Sequence, residues 1–90
     1  KGIARSYINI GNVQNNLHKI DSAIINYQRS LKYIAPKTSL YAKTLGNLGF
    51  AYKDNDQFNS AIQSFAKAIE TNEYLIKFSC TDLSKDIDKK

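Results

Sequence analysis

The sequence predicts an all-α fold: two copies of a helix pair and one more helix at the C-terminal end, about five helices in a helical solenoid. Three observations carry the expectation. Apolar and small residues recur at three- and four-residue steps, the period of one helix face. Displacing the chain by 38 residues superposes Ala4–Ala35 on Ala42–Glu73 without a gap. Pro36 and short polar clusters fall where the apolar pattern stops.

The internal repeat fixes the elements. Six positions are identical in the two copies: Ala4/Ala42, Asn9/Asn47, Gly11/Gly49, Ser22/Ser60, Ala23/Ala61 and Ile24/Ile62. Others keep their character, including Ile20/Phe58, Tyr27/Phe65 and Leu31/Ile69. In unit one (residues 3–37), Tyr7, Ile10, Gly11 and Gln14 mark a first helix over 3–16. A break at Asn15–Lys19 follows, and Ile20, Ala23, Ile24, Tyr27 and Leu31 mark a second helix over 20–35. Pro36 closes it, because proline disfavours helical geometry in the residue before it.

In unit two (residues 38–77), Thr38 or Ser39 caps a third helix over 39–54, marked by Leu45, Leu48, Gly49 and Tyr52. Asp54-Asn55-Asp56-Gln57 interrupts it. Phe58, Ala61, Ile62, Phe65, Ala68 and Ile69 form the buried stripe of a fourth helix over 58–77. The tail, 80–90, carries Cys80, Leu83 and Ile87 at helical spacing, with Thr81 or Asp82 as a cap. It reads as a fifth helix over 81–89 that covers the end of unit two, as a cap or a partial third unit.

Gly11 and Gly49 stand in the middle of helices, where glycine costs about 1 kcal/mol against alanine. With Ala23 and Ala61 they let paired backbones approach closely. Tyr27 and Phe65 are expected to fill space toward the neighbouring unit.

The pattern of a bulky residue, Leu-Gly, Tyr, then Ala, Phe and Ala resembles the tetratricopeptide repeat. Leu45, Leu48-Gly49, Tyr52, Ala61, Phe65 and Ala68 carry the resemblance in unit two. Tyr7, Ile10-Gly11, Ala23, Tyr27 and Ser30 carry it in unit one, with Gln14 in place of the expected Tyr. The usual turn glycine is replaced by His18 and Asp56, residues that tolerate left-handed geometry better than most. The 38-residue period exceeds the usual ~34 by about one helical turn, which predicts a longer second helix, or two longer helices. Asn47-Leu48-Gly49 is similar to the longer repeats of kinesin light chains, spindle-orientation adaptors and bacterial peptide-pheromone receptors.

The resemblance implies that the first helix of each unit lines a concave, peptide-binding groove. It assigns to that groove Arg5, Ile8, Asn9, Asn12 and Asn16 from unit one, and Lys43, Asn47, Phe50, Lys53 and Asp54 from unit two. An asparagine amide offers donor and acceptor to a peptide backbone. Phe50 and Ile8 offer apolar contact, and Arg5, Lys43 and Lys53 attract acid groups. Ile8 stands where some members of the family carry a carboxylate-clamping lysine, which argues against a clamp of that kind. The expected partner is a protein or peptide. The alternative role is a regulatory or sensor input domain of a larger signalling or transcription-regulating protein.

Composition agrees. Of 90 residues 42% are hydrophobic, ordinary for a globular domain, and no apolar run approaches the ~18 residues of a membrane span. The formal charge of +5 is carried by scattered lysines, eleven against two arginines, and argues against nucleic acid as a partner. One cysteine excludes an internal disulfide and fits a reducing, cytoplasmic setting. His18 is the only histidine and has no second ligand at metal spacing; no phosphate loop, nucleophile elbow or Cys-His pair is present. The expectation is therefore no enzyme, no cofactor and no metal site. With no methionine anywhere, the chain reads as cut from a longer protein, with apolar repeat ends exposed and weakly self-associating.

Overall fold

Each apolar stripe becomes a helix because it can be buried only against another helix. The computed structural model describes the backbone of residues 2–88 and the side chains of residues 2–77. Its helices are α1 (Ile3–Asn16), α2 (Ile20–Leu31), α3 (Ser39–Asp54) and α4 (Phe58–Asp88). No strand occurs among the described residues. Consecutive helices pack on one another, α1 on α2, α2 on α3 and α3 on α4.

The two turns within the units are built alike. His18 and Asp56 both take left-handed backbone, with φ of 64° and 61°. Lys19 N–H bonds Gln14 C=O at 2.8 Å, and Gln57 N–H bonds Tyr52 C=O at 2.8 Å. These are the six-to-one bonds of a Schellman ending, in which one left-handed residue lets two orphan carbonyls be satisfied. The turns thus form without glycine. Thr38 caps α3, its Oγ1 accepting from Tyr41 N–H at 3.2 Å.

One buried cluster forms the seam between the units. Ala23, Ile24 and Tyr27 of α2 meet Leu48 and Ala51 of α3, flanked by Ile8, Ile20, Leu31 and Tyr52. Within each unit an aromatic ring lies on a glycine. A Cβ built on Gly11 would stand 2.8 Å from Tyr27 Cε1, and one on Gly49 would stand 2.7 Å from Phe65 Cε1. Tyr27 and Phe65 therefore fill the gap within their own unit, not the gap toward the next. Polar pairs tie the seam together. Asn26 Nδ2 donates to Gln14 Oε1 at 2.6 Å, so Gln14 bridges the helices of unit one. Gln28 Nε2 donates to the Tyr52 hydroxyl at 2.6 Å, across the units.

Four expectations need correction. Helix α2 stops at Leu31, not at 35, because Lys32, Tyr33 and Ile34 turn their N–H groups to the carbonyls three residues back. At 12 residues α2 is not lengthened, and the connection 32–38 carries the extra length of the repeat instead. The expected fourth and fifth helices are one helix, α4. Residues 70–80 hold neither proline nor glycine, and Tyr74 occupies the position equivalent to Pro36. A straight helix cannot fold back over unit two; the side chains of Cys80, Leu83 and Ile87 lie outside the described residues. Finally, Phe58, Ile62 and Ile69, expected in the core, are exposed, as is Ile10. Their partners in the repeat, Ile20, Ile24 and Leu31, are covered by α3, and no helix among the described residues covers α4 in the same way.

Two predictions follow from the ring contacts. Tyr27 is only 2% exposed and cannot retreat, whereas Phe65 is half-buried and has room to shift. Gly11→Ala should therefore destabilise by about 1–3 kcal/mol, as overpacking does. Gly49→Ala should cost less: both variants gain up to about 1 kcal/mol in helix propensity, but only Phe65 has room to yield to the added methyl. Urea unfolding of the two variants tests the order. Burial also pushes the Tyr27 phenol above the ordinary tyrosine range. The stability it contributes is present below pH ~10 and is lost as pH rises through the raised folded value. Its hydroxyl donates to Asn12 Oδ1. Tyr27→Phe should cost about 0.5–1.5 kcal/mol at neutral pH. Melts above pH 10 should then narrow the gap between variant and native chain.

Candidate functional site

Helices α1 and α3 present matching faces on one side of the array. In α1 the face is Arg5, Ile8, Asn9 and Asn12; in α3 it is Leu40, Lys43, Thr44 and Asn47. Both follow the i, i+3, i+4, i+7 spacing of a single helical stripe. Together these eight residues line a cleft of about 180 Å³ between the helices.

Six of the ten residues expected at the groove meet in this cleft: Arg5, Ile8, Asn9, Asn12, Lys43 and Asn47. The other four, Asn16, Phe50, Lys53 and Asp54, do not line it. Asn16 and Asp54 close the last turns of α1 and α3. Phe50 packs edge-on against Phe65 with ring centroids 5.1 Å apart, and Lys53 Nζ stands 5.7 Å from the Phe50 ring centre. The lysine charge is therefore held over an aromatic face, an attraction worth about 0.5–1 kcal/mol at exposed sites.

Leu40 and Thr44 were missed by the sequence reading. Their spacing from Lys43 and Asn47 on one helical stripe is the signal that points to them. Thr44 is buried, its hydroxyl donating to the Leu40 carbonyl at 2.8 Å, so it forms the floor of the cleft. Gly46 does not line the cleft. It occupies the position in unit two that Ile8 holds in unit one, and a Cβ built on it meets nothing within 4 Å. Unlike Gly11 and Gly49, it is not required by packing.

The electrostatics are one-sided. Arg5 and Lys43 are cationic, and the lining contains no carboxylate. Asn12 is oriented by the Tyr27 hydroxyl, which uses its Oδ1. Asn9 and Asn47 make no side-chain hydrogen bond among the described residues, so their amides remain available to a ligand. The cleft thus presents two cationic groups and two unbonded amides. It offers no nucleophile with an adjacent base. Among the described residues no cluster of His, Cys, Asp and Glu could hold a metal ion, and no helix is long and apolar enough to cross a membrane.

A search of curated proteins finds no match to the chain. The tetratricopeptide repeat, by contrast, matches it twice in tandem, over residues 4–36 and 42–74. These spans contain both ring-on-glycine contacts and every residue of the cleft lining but Leu40. Repeats of this kind are generally protein–protein interaction modules and form a non-catalytic scaffold family. With most of its length matched, the chain belongs to the tetratricopeptide repeat family.

Proposed function

We propose that the chain holds an extended or helical peptide segment of a partner protein in the cleft between α1 and α3. The observation that carries this reading is the cleft's lining: two asparagine amides at equivalent positions, Asn9 and Asn47, beside Arg5 and Lys43 and with no opposing acid. The repeated asparagines present donors and acceptors at matching points on successive units, suited to a peptide backbone. The two cations favour a segment bearing acidic side chains. The scaffold holds these groups in place before binding, so little ordering is required of them when the partner arrives.

The test uses peptides selected against the immobilised chain from a displayed random library. Asn9→Ala together with Asn47→Ala should weaken a selected peptide roughly five- to a hundredfold, since each lost hydrogen bond is worth about 0.5–1.5 kcal/mol net. Circular dichroism should stay unchanged, because neither amide is bonded to the fold. Selected peptides indifferent to this double change would overturn the reading. So would preferential binding of duplex DNA that is lost on removing Arg5, Lys43 and Lys53, with a log–log salt slope of about two or more.

A further inference from the structure

A pocket of about 210 Å³ opens between α3 and α4, and it shares no residue with the cleft between α1 and α3. Its floor is apolar: Leu45 and Leu48 of α3, with Leu31 of α2 beside them. Tyr52 stands on the same stripe of α3, and Ser60, Ser64 and Lys67 form a polar wall on α4. At about 100° per residue, that wall lies on the far side of α4 from Phe58, Ile62 and Ile69. The pocket is therefore built between helices of this chain, and the exposed apolar face of α4 takes no part in it.

A difference between the two units leaves the pocket open. In unit one Asn26 Nδ2 donates to Gln14 Oε1 and bridges the helices. The equivalent residues in unit two are Ser64 and Tyr52, and no hydrogen bond joins them. Serine is too short to repeat the bridge. The Tyr52 hydroxyl instead accepts from Gln28 Nε2 at 2.6 Å, which leaves its own proton to donate. Ser64 is only 6% exposed, yet its hydroxyl makes no hydrogen bond among the described residues. The other buried hydroxyls there are all paired: Tyr27 donates to Asn12 Oδ1, Ser30 to the Tyr27 carbonyl and Thr44 to the Leu40 carbonyl. A buried hydroxyl without a partner is costly, and an acceptor entering the pocket removes that cost. Lys67 is the only charged residue of the lining and has no ion pair among the described residues. The pocket thus sets donors and one cation above an apolar floor. We infer that it binds a carboxylate carried on a short apolar stem, with the acid between Ser64, Tyr52 and Lys67 and the stem on Leu45 and Leu48. Its volume lies below the ~300–1,000 Å³ of sites for larger ligands. The carboxylate therefore belongs to a small free acid or to one acidic side chain of a partner.

The test follows backbone amide NMR signals of the isotope-labelled chain during titration. The probes are hexanoate, its neutral counterpart hexanamide, and a capped Leu-Glu-Leu tripeptide. Signals of Tyr52, Ser60 and Ser64 should move with hexanoate or with the tripeptide. Movement with hexanoate alone supports the site and assigns it to a free acid; movement with the tripeptide alone supports it and assigns it to an acidic side chain. Hexanamide should bind about fivefold more weakly than hexanoate, because hydrogen bonds to a charged group are the stronger. Ser64→Ala removes the hydroxyl but keeps the space, and should weaken binding about two- to tenfold. Lys67→Gln, at an exposed position, should weaken it about two- to fivefold. Ser64→Asn restores the residue of unit one, and should fill the pocket and abolish binding. Should that variant lose its helical circular dichroism, Ser64→Ala and Lys67→Gln carry the test. The Asn9→Ala, Asn47→Ala variant should titrate like the native chain, which separates this pocket from the peptide cleft. Signals that stay in place with both acids would overturn the inference. Equal binding of hexanamide, or binding indifferent to Ser64→Ala and Lys67→Gln, would overturn it equally.

Discussion

The contact of an aromatic ring with a bare helix backbone sets the geometry of everything else. Tyr27 on Gly11 and Phe65 on Gly49 fix how closely the two helices of each unit lie. A glycine in a helix sacrifices propensity. Here the loss is offset by a ring that fills the space a Cβ would occupy, and close filling is what interiors require. With each pair locked, the unit behaves as one block, and only the stacking of blocks remains to be determined. That is the work of Ala23, Ile24, Leu48 and Ala51, whose small and branched side chains interlock at the seam. Helices α1 and α3 are then held side by side with a cleft between them.

Much of this was legible because repetition turns a weak pattern into a constrained one. The helix starts, the two turns, the glycines and the aromatic positions all recur at the same displacement, so each supported the other; that ring and glycine meet inside one unit was not legible, the rings being expected to face the next unit. His18 and Asp56 could be read as left-handed turn residues for the same reason. What failed was whatever depends on a neighbour. Ile62 and Ile24 are the same residue in the same register, yet one is exposed and the other buried, because burial belongs to the contact and not to the helix. The end of α2 was misjudged through Pro36. A proline sets the latest point at which a helix can stop, not the actual one. The missing break in α4 has the converse cause: nothing in residues 70–80 opposes helical geometry, and potential caps at Thr81 and Asp82 do not by themselves end a helix.

The cleft was legible in part. The resemblance assigns Asn9 and Asn47 to the groove, and their repetition marks them out. It does not assign Leu40 or Thr44, whose positions in unit one are held by Gly2 and Ser6. A groove between two helices takes one flank from each. The residues that line it in α3 are therefore displaced around the helix from those in α1, and only Arg5/Lys43 and Asn9/Asn47 belong to both sets. Phe50 and Lys53 lie on the part of α3 that turns away toward α4, where Phe65 engages the ring.

The extra length of the repeat bears on the cleft through the connection between units. Residues 32–38 are not slack. Ile34 is buried, and the Tyr33 ring stacks on Tyr7 with centroids 6.0 Å apart. Lys37 Nζ stands 4.7 Å from the centre of the Tyr74 ring, and the Thr38 hydroxyl donates to Ala35 C=O at 2.8 Å while capping α3. The connection is thus fastened to α1 at one end and to α4 at the other. A loose linker would leave the angle between units to the seam alone, and the seam is short. A fastened one makes the spacing of α1 and α3, and with it the width of the cleft, a property of the fold before any partner is present. That is the condition under which two single-residue contacts, Asn9 on one unit and Asn47 on the next, can act on the same ligand.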